Sequence, residues 1–215
     1  MLNLDKRQSD HAKDPHYKEA KRKGYRARSA FKLIEIQKEF NIFKRAFYIL
    51  DLGSAPGSWL QISKEFAIEN LEKYNDNHYS RNCFKIMGVD IKKIAPIEDV
   101  EIITMDITNE ALRYKINEFF KGEKLDLILS DASINKSGNK FSDQARQTRL
   151  CYTILSLSNF FLKNKGNFVI KTFQGEDFEE FYKEVKNRFI FLKSFKPKSS
   201  NKKSNEIYLI GLKKK

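Results

Sequence analysis

Short apolar runs alternate with segments of helical period along nearly the whole chain. That alternation calls for a parallel sheet with helices on both faces. Phe47–Asp51 (FYILD), Phe84–Asp90, Glu101–Met105, Leu125–Ser130 and Asn167–Thr172 are the expected central strands. A turn at Asn164–Gly166 introduces the last of these. Helices are expected from Arg28 to about Phe40, over Ser58–Ile68, Asn109–Phe120, Ser142–Leu162 and Phe178–Phe189. Ile190–Phe195 and Ile207–Leu212 follow with only the polar loop KPKSSNKKSN between them, so one of the two should enter antiparallel. Residues 1–24 are charged and without period, and are expected to be a partly disordered basic segment. Asn70–Asn82 (NLEKYNDNHYSRN) has no apolar period and is expected to be a surface insertion. No internal repeat or linker divides the rest, giving a single domain over 25–215.

At 215 residues the chain suits one substantial α/β domain, and 18 Phe and 9 Tyr supply an aromatic-rich core. The formal charge of +13 attracts polyanions, of which nucleic acid is the commonest. A lysine-rich surface arising from codon bias gives the same number, so the charge alone argues only modestly. No run of about 18 apolar residues exists to span a bilayer, so no membrane partner is expected. Cys83 and Cys151 are too few for a disulfide framework or a zinc site, and His11, His16 and His78 show no ligand spacing. A reducing intracellular compartment is expected, with cytoplasm, nucleolus and organelle left open.

The chemistry collects at strand ends. Asp51-Leu-Gly-Ser-Ala-Pro-Gly57 occupies a strand-to-helix turn, where open α/β sheets bind ligands. Gly53 and Gly57 let the backbone pass close to a bound molecule. The stretch is neither the dinucleotide G-x-G-x-x-G nor a P-loop, so a ligand without pyrophosphate fits better. Asp90 ends the second strand, placed to accept both ribose hydroxyls of an adenosine. It lies 39 residues beyond Asp51, against about 20 in dinucleotide folds, and the Asn-rich insertion accounts for the excess. Asp106 ends the third strand, where it can meet an adenine amino group. A strand-end acid is often no more than a cap; three beside one glycine turn argue for a ligand. Asp131 ends the fourth strand and Lys171 the fifth, both facing the same crevice. A lysine ending a buried strand is costly unless paired or functional. Lys32 on the first helix and Glu206 at the start of the final strand are within reach of that crevice.

Read together, GYRARSAFKLIEI, DLGSAPGSWLQ, VDIKKIAPI, MDIT, LILSDASINKSG, FVIKTFQGEDF and KPKSSNKKSNEIYLI resemble the FtsJ/RrmJ family of ribosomal-RNA ribose 2′-O-methyltransferases. The resemblance runs over roughly residues 14–212. It implies a Rossmann-like, S-adenosylmethionine-dependent methyltransferase with a seven-stranded, mostly parallel sheet and one antiparallel strand. It also implies that Lys32, Asp131, Lys171 and Glu206 surround the reacting ribose hydroxyl, with cofactor contacts at Gly57, Trp59, Asp90, Asp106 and Asp131. The turn itself adds Asp51, Gly53, Ala55 and Pro56. Ser58 departs from the Gly usual in bacterial members, and Ile134 from the Pro that follows the catalytic aspartate.

On this reading Lys171 is the base, Asp131 orients it, and Glu206 orients Lys32 and the ribose; no metal is needed. The expected partner is RNA, as ribosomal RNA or a ribosomal subunit, bound by a monomer. The basic residues Lys18, Lys21, Arg22, Lys23, Arg26 and Arg28, with Lys196–Lys203, are expected to hold phosphates. Tyr25 is open to two roles, stacking on a base or packing in the core. A transfer-RNA anticodon or cap ribose methyltransferase would share every residue above. A non-enzymatic RNA-binding assembly factor is disfavoured by the intact tetrad. A nicotinamide dehydrogenase is disfavoured by the missing glycine fingerprint, and titration with S-adenosylmethionine and NAD separates it.

Overall fold

The computed structural model describes residues 15–74, 82–135, 137–201 and 203–215. Their order is α1 (Pro15–Arg22), α2 (Ala30–Phe40), β1 (Tyr48–Leu52), α3 (Ser58–Lys73), β2 (Lys85–Asp90), β3 (Val100–Thr104) and α4 (Ala111–Phe120). Then come β4 (Leu125–Ser130), α5 (Lys140–Phe161), β5 (Leu162–Phe173), α6 (Phe178–Arg188), β6 (Phe189–Phe195) and β7 (Glu206–Lys214). The seven strands form one sheet in the order β3-β2-β1-β4-β5-β7-β6. β1 to β5 pair in parallel, and β7 is antiparallel to both of its neighbours.

The period-2 alternation of a strand sends neighbouring residues to opposite faces. Here it divides the core in two. Leu50, Ile128, Phe168 and Ile170 point to one face, under Ile116 and Phe120 of α4, Ile154 of α5 and Val185 of α6. Ile49, Leu127, Leu129 and Val169 point to the other, under Leu33 and Ile36 of α2 and Ile62 of α3. Both faces are therefore covered, which is why the central strands read as unbroken apolar runs.

Four local expectations change. Pro15–Arg22 is a helix and not part of an unstructured segment; it buries Ala20 against the domain, while residues 1–14 lie outside the described residues. α3 runs on to Lys73 because Asn70, the first residue of the expected insertion, is buried. Its amide donates to the carbonyls of Phe43 at 2.7 Å and Ala46 at 2.9 Å. Residues 75–81 of that stretch lie outside the described residues. Asn164–Gly166 is no separate turn: β5 starts at Leu162 and absorbs the extra residues as a register shift against β4, with Lys165 at φ 64°. Asp106 stands two residues beyond the end of β3. No helix among the described residues is long and apolar enough to cross a membrane.

Candidate active site at the strand ends

Parallel strands put all their C-terminal ends on one edge, and the order β2-β1-β4-β5 places Asp90, the glycine turn, Asp131 and Lys171 side by side along it. A cavity of about 580 Å³ opens there, lined by Gly53, Ala55, Asp90, Asp106, Asp131 and Ile134, among others.

Backbone geometry shapes this cavity. Gly53 has φ 78°, and its N–H donates to Val89 O at 2.8 Å. A Cβ on Gly53 would stand 2.5 Å from the Ala132 Cα, so the turn after β1 presses directly on the residue following Asp131. Asp90 braces the same turn: Oδ2 accepts from Ala55 N at 2.9 Å and Oδ1 from Lys92 N at 2.8 Å. Each carboxylate oxygen has a second lone pair, so both remain acceptors toward the cavity. Asp106 Oδ1 accepts from the Thr108 N–H and hydroxyl at 2.8 and 2.7 Å, a local turn that fixes the carboxylate.

Other residues of the turn do not reach the cavity wall. Asp51 is fully buried in β1 beneath the turn, and neither oxygen has a hydrogen-bond partner among the described residues. Burial first, then the nearby carboxylates of Asp131 and Asp90, push its pKa well above the usual carboxylate range. Pro56 and Gly57 lie against Arg26, which donates to the Pro56 carbonyl. A Cβ on Gly57 (φ 105°) would meet Arg26 Nη1 at 2.9 Å. Trp59 is a core residue: its indole N–H donates to Ser29 O at 2.8 Å and its ring packs on Tyr208. The Ser58 hydroxyl, in place of a glycine, pairs with that of Ser29 at 2.9 Å.

The four tetrad residues come together as one network. Lys171 Nζ donates to the Asp131 carbonyl at 2.6 Å and stands 3.0 Å from its Oδ1. Lys32 Nζ is 2.7 Å from Glu206 Oε1, and both side chains are largely buried. Burial alone would raise the Glu206 pKa, but the Lys32 hydrogen bond and charge, with Lys171 beyond, outweigh it and hold the carboxyl below its ordinary value. The link between the pairs is a residue the sequence reading passed over. Tyr208 donates to Asp131 Oδ1 at 2.6 Å and accepts from Lys32 Nζ at 3.3 Å. Burial, followed by the charge and hydrogen bond of Asp131, pushes its pKa well above the usual phenol value, so it stays a donor. The signal was available: Tyr208 lies two residues after Glu206, on the same face of β7, and pairs directly with Lys171 in the sheet.

The expected phosphate-binding residues divide. Arg26 is occupied, its guanidinium donating to the carbonyls of Pro56, Ala95 and Pro96, which ties the segment before α2 to the turn. Lys23 pairs with Glu19 at 3.1 Å. Tyr25 packs edge-on against Phe31 at the margin of the core and donates to Glu65 at 3.1 Å. Lys18, Lys21 and Arg22 line one shallow surface depression on α1. Ser199 and Ser200 of the polar loop are buried, and Glu35 accepts from the Lys198 and Ser199 amides at 2.6 and 3.0 Å.

Comparison with known proteins matches residues 25–214 to the family described as FtsJ-like methyltransferase. A protein of Methanosarcina mazei named Ribosomal RNA large subunit methyltransferase E is 39% identical over 94% of this chain and 69% of its own length. Its namesake in Francisella philomiragia is 37% identical over 94% of this chain and 92% of its own. Among solved structures, a ribosomal RNA methyltransferase, putative, from Plasmodium falciparum superposes with a TM-score of 0.73 at 30% identity. It covers 88% of this chain and 98% of that one.

Proposed function

Because the chain belongs to the FtsJ-like methyltransferase family, we propose that it transfers the methyl group of S-adenosylmethionine to a ribose 2′-OH of RNA, at a uridine of large-subunit ribosomal RNA. One observation carries the reading: the Glu206–Lys32–Tyr208–Asp131–Lys171 chain of contacts, built from α2, the end of β4, β5 and β7, stands beside a carboxylate-lined cavity. That cavity suits S-adenosylmethionine. Asp90 offers acceptors for a ribose diol, Asp106 an acceptor for an exocyclic amine, and Asp131 a negative charge, while the Gly53 turn keeps side chains off the backbone. The relatives named for the large ribosomal subunit favour that RNA over transfer RNA or a cap.

S-adenosylmethionine supplies a methyl group already activated by its sulfonium. What remains for this chain is to position the hydroxyl in line and take up its proton. Lys171 takes that proton on Nζ in its neutral form as the new oxygen–carbon bond forms and the carbon–sulfur bond breaks. Asp131 orients Lys171 through both its carbonyl and its carboxylate. Lys32, held by Glu206, positions the ribose, and Tyr208 keeps the two pairs in register. Exposed cations of α1 hold RNA phosphates outside the site.

The test is a map of ribose methylation across ribosomal and transfer RNA in cells lacking this protein, with the purified chain added back. Loss and restoration of one 2′-O-methyl group in large-subunit RNA is the expected result. A complete map in the lacking cells would overturn the proposal.

A further inference from the structure

Glu206 is the first residue of β7, directly after the irregular connection 196–205 that leads from β6. A side chain at such a place inherits the freedom of the backbone before it, because element ends fray first. Bonds inside the connection shape it without fixing it to the domain. Ser200 N donates to Pro197 O and Ser204 N to Asn201 O, each at 3.0 Å, and Lys196 Nζ donates to Ser204 O at 2.6 Å. Gln174 N donates to Asn205 O at 2.9 Å, which secures the end on the β5 side and not the side toward α2. Yet Lys32 of α2 meets Glu206 at 2.7 Å, in a pair that is largely buried.

Three residues of α2 run along this connection in reverse order. Phe40 packs edge-on against Phe195 at the end of β6, with ring centroids 5.3 Å apart. Glu35 accepts from two consecutive amides, Lys198 N at 2.6 Å and Ser199 N at 3.0 Å. Lys32 takes Glu206 itself. Glu35 stands three residues after Lys32, which puts both on one face of the helix. A carboxylate that accepts backbone amides makes charge-assisted bonds, roughly twice as strong as neutral ones. The turn it grips also carries Ser200, buried beside Glu206. Burial raises the Glu206 pKa, and Lys32 and then Ser200 bring it down.

We infer that Glu35 is a positioning residue for methyl transfer: by gripping the Lys198 and Ser199 amides it fixes where Glu206 meets Lys32, and so where Lys32 stands. The inference rests on the RNA methyltransferase reading above, in which Lys32 positions the ribose. Glu35 itself touches no reacting atom. Its effect lies in the alignment of the hydroxyl, where a displacement of about 1 Å costs on the order of 10²-fold in rate. Glu35 lines no part of the cavity beside Asp131, so the cofactor should bind as before without it.

The experiment uses the full chain and unmethylated large-subunit RNA. Glu35→Ala should lose about 10–100-fold in single-turnover methyl transfer, with the KM for RNA and the affinity for S-adenosylmethionine unchanged. Glu35→Gln keeps one acceptor oxygen and should recover part of that loss; it carries the same test if Glu35→Ala does not fold. A double-mutant cycle separates positioning from general support. In a Glu206→Gln background, Glu35→Ala should cost less than about twofold more. Without turnover, the Lys32 ammonium protons, shielded from water by Glu206, should give an NMR signal in the wild type that broadens into solvent exchange in Glu35→Ala. Wild-type rates or an unchanged Lys32 signal in Glu35→Ala would overturn the role. So would independent losses in the double variant, or cofactor binding that weakens in step with the rate. A wild type that methylates no RNA, with the Lys32 signal still lost in Glu35→Ala, would remove the proposed function and leave Glu35 as the clamp of the pair.

Discussion

The two halves of the strand-end edge are built by opposite means. Around β1, β2 and β3 the site is made from backbone: a positive-φ glycine, amides donated to Asp90 and a short turn around Asp106. Around β4, β5 and β7 it is made from side chains, two lysines locked to two carboxylates through one phenol. Backbone amides that brace a carboxylate leave it free to accept more bonds, so that half tolerates piecemeal loss. A buried network of charges does not, because removing one member strands the others. Loss should be graded on one side and abrupt on the other.

The largest effect is expected at Lys171. Arginine keeps a cation but stays protonated in proteins. Lys171→Arg and Lys171→Ala should therefore both lose about 10²–10⁴-fold in single-turnover methyl transfer, with cofactor and RNA affinities retained. Recovery of most of the activity in Lys171→Arg would mean that the network needs only positive charge. Gly53→Ala comes next, since it strikes the place where the halves touch. The added Cβ would sit 2.5 Å from the Ala132 Cα at a φ of 78°, so cofactor affinity and methyl transfer should fall together. A fall in affinity alone would show that the halves are mechanically separate.

Asp90→Ala should weaken S-adenosylmethionine binding by about 1–3 kcal/mol through lost hydrogen bonds, measured by titration calorimetry. A loss of turnover at saturating cofactor would contradict the graded behaviour assigned to that half. The smallest effect is at Asp51. Its folded-state pKa is raised, so its ionisation opposes folding. That contribution is absent below the unfolded carboxylate value and grows as pH rises toward the folded one. Asp51→Asn should melt above the wild type at neutral pH, with the gap closing as pH falls toward about 4. A gap that widens on acidification would reverse the sign and require a partner for the carboxylate.

Residues whose partners sit at a fixed offset in the pattern were legible in the sequence. Asp90, Asp131 and Lys171 end apolar runs, and parallel strands put such ends in one row. The antiparallel entry of a late strand followed from the missing crossover helix, and it brings Glu206 to Lys32. What escaped depends on contacts between distant segments. Asn70 reads as loop until the carbonyls of Phe43 and Ala46 are seen to need a donor. Arg26 reads as a phosphate ligand until three carbonyls claim it. Trp59 resembles a ligand contact, but its indole found Ser29 and the core. α1 is a short, mostly charged helix of eight residues, and what ties it to the domain is the burial of Ala20.

The order β5-β7-β6 has a consequence for how the protein is made. β6 precedes β7 in the chain yet pairs with it, so β6 cannot join the sheet until the later strand has been synthesised. Until then a nascent chain carries β5 as an open edge, a row of unsatisfied amides and carbonyls prone to pairing with other chains. The same strand that closes this edge delivers Glu206 and Tyr208. Docking of β7 therefore closes the β5 edge and brings Glu206 to Lys32 and Tyr208 to Asp131 in one event.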